Sequence, residues 1–244
     1  MAKGAYIGVG GVARKIKKGY IGVDGVARKI KKAYIGIGGV ARPCWIGGEL
    51  VYYGAITGLS VARQLLKATS IGNYALFGGG QAGSGYVGIS NVVDAYNQSL
   101  TRSVPAALSQ VRRELAATTV GGYALFGGGQ VKYSTVSDAV DAYNSSLTKS
   151  TPTALSTARD NLAATAIGGY ALFGGGRPES SPVAASTVVD IYDESLTHTT
   201  SELSTARHYS GAASVGKYAL FGGGGSASGT TTLYIDSTEA YLVN

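Results

Sequence analysis

Few side chains in this chain have the types and spacing that catalysis or metal binding requires. The two histidines, His198 and His208, lack metal-ligand spacing and have no cysteine partner, because Cys44 is the only cysteine. The adjacent acids Asp193-Glu194 occur in one repeat only, which favours a solvated turn over a general acid/base pair. No Ser-His-acid set stands out. The sequence therefore predicts no catalytic residue, no metal and no cofactor, and an enzyme is the least favoured class.

One glycine run resembles a nucleotide-binding fingerprint by letter. The run Gly78-Gly79-Gly80-Gln81-Ala82-Gly83 fits G-x-G-x-x-G. That fingerprint needs a helix that starts at the glycines, and an acid about 20 residues later that binds the ribose. The following Ser84-Gly85-Tyr86-Val87-Gly88 is a poor helix start, and the other three glycine runs lack the third glycine at this spacing. Nucleotide binding is not predicted.

The elements that carry these residues form a long repeat. The segment Tyr74-Ala75-Leu76-Phe77-Gly78-Gly79-Gly80 recurs from Tyr123, Tyr170 and Tyr218, in steps of 49, 47 and 48 residues. A period of about 40–50 residues with strand-forming segments and glycine pairs indicates propeller blades. Each copy is preceded at eleven residues by an arginine: Arg63, Arg112, Arg159 and Arg207. Each is followed by a short acidic-apolar segment that ends in tyrosine: 93–96, 140–143, 189–192 and the degenerate 238–241.

The recurring arginine allows two interpretations. It could be a strut that pairs with a carboxylate or carbonyl within or between blades, or one member of an arginine ring that binds an anion. We favour the strut, because residues that recur in every repeat usually serve the repeated packing.

The segments after the glycine runs differ in length and content while their frame repeats. They cover residues 81–91, 130–138, 177–187 and 225–236. Variable loops on a rigid frame are where binding specificity usually lies. The side chains best suited to a binding hot spot are Tyr86, Tyr133, Arg177 and Tyr234. Solvated linkers are the alternative.

Four apolar residues, then Gly-Gly, then a tyrosine after a variable loop resemble the kelch motif, over about residues 49–244. The resemblance implies an all-β fold, a kelch-like propeller of about four blades over residues 46–244. The tryptophan of that motif is missing, and Leu100, Leu147 and Leu196 are expected to fill its space. Helical spacing from Leu155 to Ala166 would alone predict a helix, but the resemblance implies strands there.

The ends of the long repeat suggest how a ring could close. The last repeat stops at Tyr241-Leu242-Val243-Asn244, whereas a spare strand, Leu50-Val51-Tyr52-Tyr53, precedes the first. Pairing of these segments would close four blades within one chain and remove the exposed edges. The alternative is an open arc completed by another chain.

Residues 1–45 form a different, short repeat with a period of 14, starting at Tyr6, Tyr20 and Tyr34. Gly-Gly or Asp-Gly at the centre of each unit predicts a β-hairpin, and the whole arm a β-meander. The arm carries a net charge of +9, while the rest of the chain carries −2. Its basic residues include Arg14, Lys15, Lys17, Lys18, Arg28, Lys29, Lys31 and Lys32. They suit a polyanion, but too few aromatic side chains accompany them for nucleic acid to be expected.

The tandem Tyr-Ile-Gly-Val-Asp/Gly-Gly-Val-Ala-Arg-Lys repeat followed by kelch-like units is similar to structural proteins of phages and prophages of Gram-positive bacteria, tail- or fibre-associated in particular. This implies a non-enzymatic virion protein, made in the host cytoplasm, with an N-terminal attachment and oligomerisation arm. Its C-terminal head would bind host cell-surface glycan or another virion protein. An intracellular kelch-type adaptor for a protein partner is the alternative. No membrane insertion is expected, because no stretch reaches 18 apolar residues.

Overall fold

The fold comes from a computed structural model of the chain. It describes residues 6–9, 12–15, 19–23, 26–30, 32–37, 40–46, 52–85, 87–178, 184–228 and 231–243. All regular elements in these ranges are β-strands. The chain divides into two compact units, Met1–Ala55 and Ile56–Asn244. The all-β prediction is confirmed, and so is the choice of strands over a helix between Leu155 and Ala166.

The first unit contains three hairpins. Their strands are β1 (Tyr6–Val9), β2 (Val12–Lys15), β3 (Gly19–Val23), β4 (Val26–Ile30), β5 (Lys32–Ile37) and β6 (Val40–Ile46). Each pair is antiparallel, and each two-residue connection falls at the predicted turn, as between Val9 and Val12. In the described part of the arm each hairpin is a separate two-stranded sheet, so the expected continuous meander is not formed.

The second unit contains four sheets, which we call blades 1 to 4. Blade 1 consists of β7 (Lys67–Ile71), β8 (Tyr74–Gly78), β9 (Val93–Tyr96) and β10 (Arg102–Ser103). The next strands are β11 (Ala116–Val120), β12 (Tyr123–Gly127), β13 (Gln130–Lys132), β14 (Thr135–Val136), β15 (Val140–Asn144) and β16 (Lys149–Ser150). Of these, β13 and β14 form a small hairpin, and the other four form blade 2.

Blades 3 and 4 repeat this plan. The strands that follow are β17 (Arg159–Asp160), β18 (Ala163–Ile167), β19 (Tyr170–Gly174), β20 (Arg177–Pro178), β21 (Ser186–Asp193) and β22 (His198–Arg207). Blade 3 has the order β18-β19-β21-β22, and β17 pairs with β20. The last strands are β23 (Gly211–Val215), β24 (Tyr218–Gly222), β25 (Gly225–Ser228), β26 (Thr231–Tyr234) and β27 (Thr238–Leu242). Blade 4 has the order β23-β24-β27, and β25 pairs with β26.

The blades follow one another as in a β-propeller, with the first strand of each blade innermost. These inner strands contact in sequence: β7 with β11, β11 with β18, and β18 with β23. In every blade the second strand ends at the glycine run. The first strand begins beside that run, as the pairing of Ala116 with Gly127 shows. We call this end of the blades the loop end, because the variable loops leave from it.

The core lies between blades rather than within one. We call the side of a blade that meets the next blade its front face, and the other side its back face. Leu125 and Val140 on the front of blade 2 pack against Phe173 and Tyr192 on the back of blade 3. The final glycine of the second strand lets that phenylalanine approach, because a Cβ at Gly127 would lie 2.9 Å from Phe173 Cε1. Here glycine serves close packing, and the positive φ falls on the two glycines that follow.

Two of the three leucines proposed to replace the missing tryptophan pack into the interior interfaces. Leu147 packs into the core between blades 1 and 2, and Leu196 into the core between blades 2 and 3. Leu100, on the back of blade 1, is 37% exposed. All three have positive φ and donate their N–H to the carbonyl of the residue three positions earlier, so the same turn recurs in blades 1 to 3.

Among the described residues, no strand pairing joins the two ends of the long repeat. Tyr52 and Tyr53, in the proposed spare strand, are 88% and 82% exposed and belong to no strand. In the part of the chain that the structure describes, β7 has no contact with β23 comparable to its contact with β11. The front of blade 4 and the back of blade 1 are therefore both exposed to solvent.

Candidate functional site

The recurring arginine is a buried strut in each blade. The side chain of Arg159 has no exposed surface, and it donates to Gly175 O at 2.6 Å and Phe173 O at 3.0 Å. Its guanidinium also lies 2.5 Å from Asp190 Oδ2, so it ties the segment before the inner strand to the second and third strands. The matching pairs are Arg63–Asp94, Arg112–Asp141 and Arg207–Glu239. These arginine side chains are enclosed and are not available to an anion from solvent.

The Asp190 carboxylate of blade 3 shows how the strut acts on its acid. Burial alone would raise the pKa of Asp190, but Arg159 and the Ser156 N–H lower it below its ordinary value. His198 Nε2 lies 2.7 Å from Asp190 Oδ1, which places this histidine in the strut of blade 3. A serine N–H caps the carboxylate of every blade, from Ser60, Ser109, Ser156 and Ser204. The repeated charges therefore hold the frame together.

Two residues after each strut arginine, the backbone takes an unusual conformation. Leu65, Glu114, Asn161 and Tyr209 all have φ between 51° and 57°, which residues other than glycine seldom adopt. The last three donate their N–H to the carbonyl of the equivalent residue one blade earlier: Glu114 to Leu65, Asn161 to Glu114, and Tyr209 to Asn161. This backbone ladder runs along the inner strands at the loop end. Strained non-glycine residues of this kind concentrate at functional sites.

The side chains on this ladder differ from blade to blade, although everything around them repeats. The pairs that follow the strut arginines are Gln64-Leu65, Arg113-Glu114, Asp160-Asn161 and His208-Tyr209. With side chains from the adjoining loops they form a group that we call the axial cluster. Its members are Gln81, Arg113, Glu114, Gln130, Asp160, Asn161, Arg177, His208 and Tyr209.

One half of the axial cluster is organised by Arg113. Its guanidinium donates to Gln130 Oε1 at 2.9 Å and 2.6 Å, to Gln81 Oε1, and to Gly85 O at 3.0 Å. Gln81 and Gln130 are equivalent residues directly after their glycine runs, and both are buried. The arginine thus joins the loops of blades 1 and 2.

The other half is organised by Arg177. Its guanidinium binds both carboxylate oxygens of Asp160, at 3.1 Å and 2.8 Å, and this hydrogen bonding raises the pKa of Arg177. His208 is buried, and neither ring nitrogen has a hydrogen-bond partner among the described residues. Burial and the nearby Arg177 lower the pKa of His208. This imidazole is therefore neutral at pH 7 and can both accept and donate a hydrogen bond.

The two halves are joined by the hydrogen bond that Asn161 Nδ2 donates to Glu114 Oε2 at 3.4 Å. Tyr209 follows His208 in the chain, and burial raises the pKa of its hydroxyl. Its ring is nevertheless 59% exposed and stands edge-on to His208, with the centroids 5.1 Å apart. A ligand at the loop end could therefore contact the Tyr209 ring, the two partly exposed guanidinium groups, the Glu114 carboxylate and the Asn161 amide.

The four residues predicted from the loops have different positions. Arg177 belongs to the axial cluster. Tyr133 lies on the connection between β13 and β14 and is 71% exposed, and Tyr234, at the end of β26, is 93% exposed. Tyr86 lies outside the described residues. Of the basic arm residues, Arg14, Lys15, Arg28, Lys29 and Lys32 lie on hairpin strands, whereas Lys17, Lys18 and Lys31 fall outside the described ranges.

Sequence reasoning missed the rest of the axial cluster. Alignment of the four repeats with one another would have shown these residues, because the two positions after the invariant arginine differ in every copy. The other chemical candidates have local roles: Asp193 Oδ1 accepts N–H groups from Ser195 and Thr197 in a turn. Gly79 and Gly80 have positive φ and lead into a loop without a helix in its described part.

The described residues offer few other kinds of site. No group of three or more His, Cys, Asp or Glu side chains within the described residues could hold a metal ion. The same residues include no helix long and apolar enough to cross a membrane. A cleft of about 410 Å³ lies between blades 3 and 4, lined mainly by apolar side chains that include Leu172, Ile191 and Tyr241.

The fold, but not the sequence, resembles known proteins. No protein-family description and no curated protein sequence matches this chain. The solved structure of YjhT is similar, with a TM-score of 0.58 over 75% of this chain and 70% of the YjhT chain, at 14% sequence identity. At that identity the likeness establishes the fold alone, which is of the β-propeller type.

Proposed function

We propose that this protein is a non-enzymatic binding protein of a phage virion, and that its axial cluster binds a host-surface glycan. The observation that carries the proposal is the axial cluster itself: side chains that vary between blades, on a backbone that repeats. Residues needed for folding recur in every blade, as the strut arginines do. Residues that differ at one end of the frame suit recognition.

The chemistry of the cluster fits a polyhydroxylated ligand. The partly exposed Arg113 and Arg177 present planar donors, and the partly exposed Glu114 and Asn161 present acceptors, which together suit closely spaced hydroxyl groups. The exposed ring of Tyr209 offers an apolar surface beside these polar groups. A ligand that also carries a carboxylate or phosphate would gain from the guanidinium groups.

The same cluster lacks the features of a catalytic centre. Asp160 is engaged on both oxygens by Arg177, and in the described part of the chain the His208 ring makes no hydrogen bond to a serine or cysteine nucleophile. A cluster that holds its charges in pairs is suited to binding.

The virion assignment rests on the sequence resemblance of the two repeats to the kelch motif and to tail- or fibre-associated phage proteins. In that setting the basic hairpin arm would attach to another virion protein, and the propeller would face the host. The uneven distribution of charge supports different roles for the arm and the propeller, since residues 1–45 carry a net charge of +9.

Binding of the full-length protein to Gram-positive cell walls and to a glycan array tests this proposal. Tyr209→Ala should weaken binding at least tenfold, because Tyr209 is exposed and lies within the cluster. Tyr133→Ala and Tyr234→Ala test the flanking loops, and Tyr170→Ala is the control, since this half-exposed tyrosine begins β19 at the opposite end of the blade. Equal loss from Tyr170→Ala, or capture of a protein partner with no glycan bound, would reject the glycan role and favour the adaptor alternative.

A further inference from the structure

The contact between neighbouring blades is used three times within this chain. Each time the front face of one blade meets the back face of the next. The centre of each contact is a phenylalanine of the second strand, which lies against a glycine one blade earlier: Phe126 on Gly78, Phe173 on Gly127, and Phe221 on Gly174. All three phenylalanine side chains are fully buried. A single interface design therefore repeats along the second unit.

The front face of blade 4 has this design but no blade against it. Its Val215 occupies the position of Ile71 and Val120, which are 6% and 3% exposed, yet Val215 is 61% exposed. Leu242 on the same face is 52% exposed. A Cβ at Gly222 would meet only Thr238 of its own blade, instead of a phenylalanine ring from the next one.

The back face of blade 1 provides the other side of the repeated interface, and it too has no blade against it. Its Ala75 is exposed, whereas the equivalent Ala124, Ala171 and Ala219 are fully buried. Phe77 occupies the position of the three buried phenylalanines and is partly exposed. Leu100, equivalent to the packed Leu147, is 37% exposed.

We infer that these two faces bind each other between two copies of this chain, so that two four-bladed units close into one ring of eight blades. The choice of a second copy follows from the residues. The back of blade 1 carries the same phenylalanine and tyrosine pair, Phe77 and Tyr96, that already packs on each interior front face, with ring centroids 5.8 Å apart against 6.0 Å in blade 2. The contact continues an interface that the chain already uses.

The symmetry and the number of copies follow from this contact. A front face that binds a back face is a head-to-tail interface, and such interfaces give closed rings when the rotation completes a circle. Propellers typically contain about four to eight blades, so a ring of two copies is within that range and a ring of three is not. Closure would cover both exposed apolar faces, which otherwise remain open to unspecific association.

Light scattering and sedimentation of the full-length protein over a range of concentrations test the inference. Wild type should have twice the mass of one chain, which is 24.8 kDa. Ala75→Arg and Val215→Arg should each reduce the mass to that of the monomer. Both residues are exposed within one chain, so neither change should disturb its folding. Val104→Arg is the control, since Val104 is 53% exposed and follows the outer strand of blade 1.

Mixing the two variants distinguishes a head-to-tail contact from other dimers. An equal mixture of Ala75→Arg and Val215→Arg contains one intact front face and one intact back face on different chains. It should therefore form a dimer through that one intact contact when the concentration is raised, although each variant alone stays monomeric; the second contact then carries both arginines and stays open. A monomeric wild type, a variant that stays dimeric, or a mixture that does not recover would overturn the inference. Unchanged thermal unfolding of both variants at low concentration confirms that loss of the dimer is not loss of fold.

Discussion

Phe126 packs directly on Gly78 where blades 1 and 2 meet, since a Cβ on Gly78 would lie 2.8 Å from Phe126 Cε1. The phenylalanine stands edge-on to Tyr143 of its own blade, with ring centroids 6.0 Å apart. The glycine and the aromatic pair belong to the same repeated segments, one blade apart. The final glycine of the second strand therefore leaves room for the phenylalanine of the next blade, and the phenylalanine of the same strand packs on the glycine of the preceding blade.

Replacement of Gly127 by alanine should destabilise the second unit by about 1–3 kcal/mol, the usual cost of overpacking a close-packed core. The new Cβ would lie 2.9 Å from the buried Phe173 ring. Because Gly127 does not have a positive φ, the cost comes from the contact and not from the backbone. Thermal and urea unfolding measure it. Gly211→Ala is the matched control, because its nearest neighbour would be 4.0 Å away, and an equal loss there would contradict the packing explanation.

Removal of a strut carboxylate should lower the free energy of unfolding most where the carboxylate is fully buried. Asp190→Ala leaves the guanidinium of Arg159 buried without its ion pair, for which we expect a loss of about 3–5 kcal/mol. Glu239→Ala is the comparison in blade 4, where the carboxylate side chain is 19% exposed, so that water can reach the freed Arg207. Its loss of unfolding free energy should be less than half as large. Equal losses would show that enclosure does not set the strength of the strut.

Stability should decline below pH 6.5 because of His208. Burial and Arg177 lower the pKa of His208 below the ordinary 6.5, so the folded protein binds fewer protons here than the unfolded chain. The resulting stability is complete above pH 6.5 and is lost as the pH falls from 6.5 through the folded pKa. Asp160 also acts on the ring and moderates the shift. His208→Phe should flatten this part of the unfolding curve, and an unchanged decline would exclude His208 as its source.

The sequence was sufficient to predict the blades, because the signals for them are local and repeated. Glycine runs at a spacing of 47 to 49 residues, each preceded by an arginine, predicted four sheets and the buried strut. The turn dipeptides of the arm likewise predicted three hairpins. Ring closure was not predictable in this way, since it depends on the relative orientation of blades far apart in the chain.

Most of the axial cluster escaped sequence analysis for a related reason. Its residues come from different blades and meet only because equivalent backbone positions lie side by side. Arg113 and Gln81 are 32 residues apart, and nothing in either neighbourhood indicates that they share a hydrogen bond. Arg177 was predicted because it is a charged side chain in a variable loop. Its partner Asp160 was not, because it follows a strut arginine.

Deletion of residues 1–45 should separate attachment from ligand binding. The arm's described strands pair only within their own hairpins, and two-stranded sheets are marginal alone, so we expect the arm to need a partner surface. Its net charge of +9 would make that surface an anionic one. The truncated protein should keep the thermal unfolding and cell-wall binding of the full chain but fail to enter virions, measured by quantitative mass spectrometry of purified particles. A full-length variant with glutamine at Arg14, Lys15, Arg28 and Lys29 serves as the matched test of charge, and it should show the same defect. If the truncated protein enters particles normally, the attachment role is wrong, and the arm would be better explained as a polyanion-binding tail whose affinity falls steeply with salt.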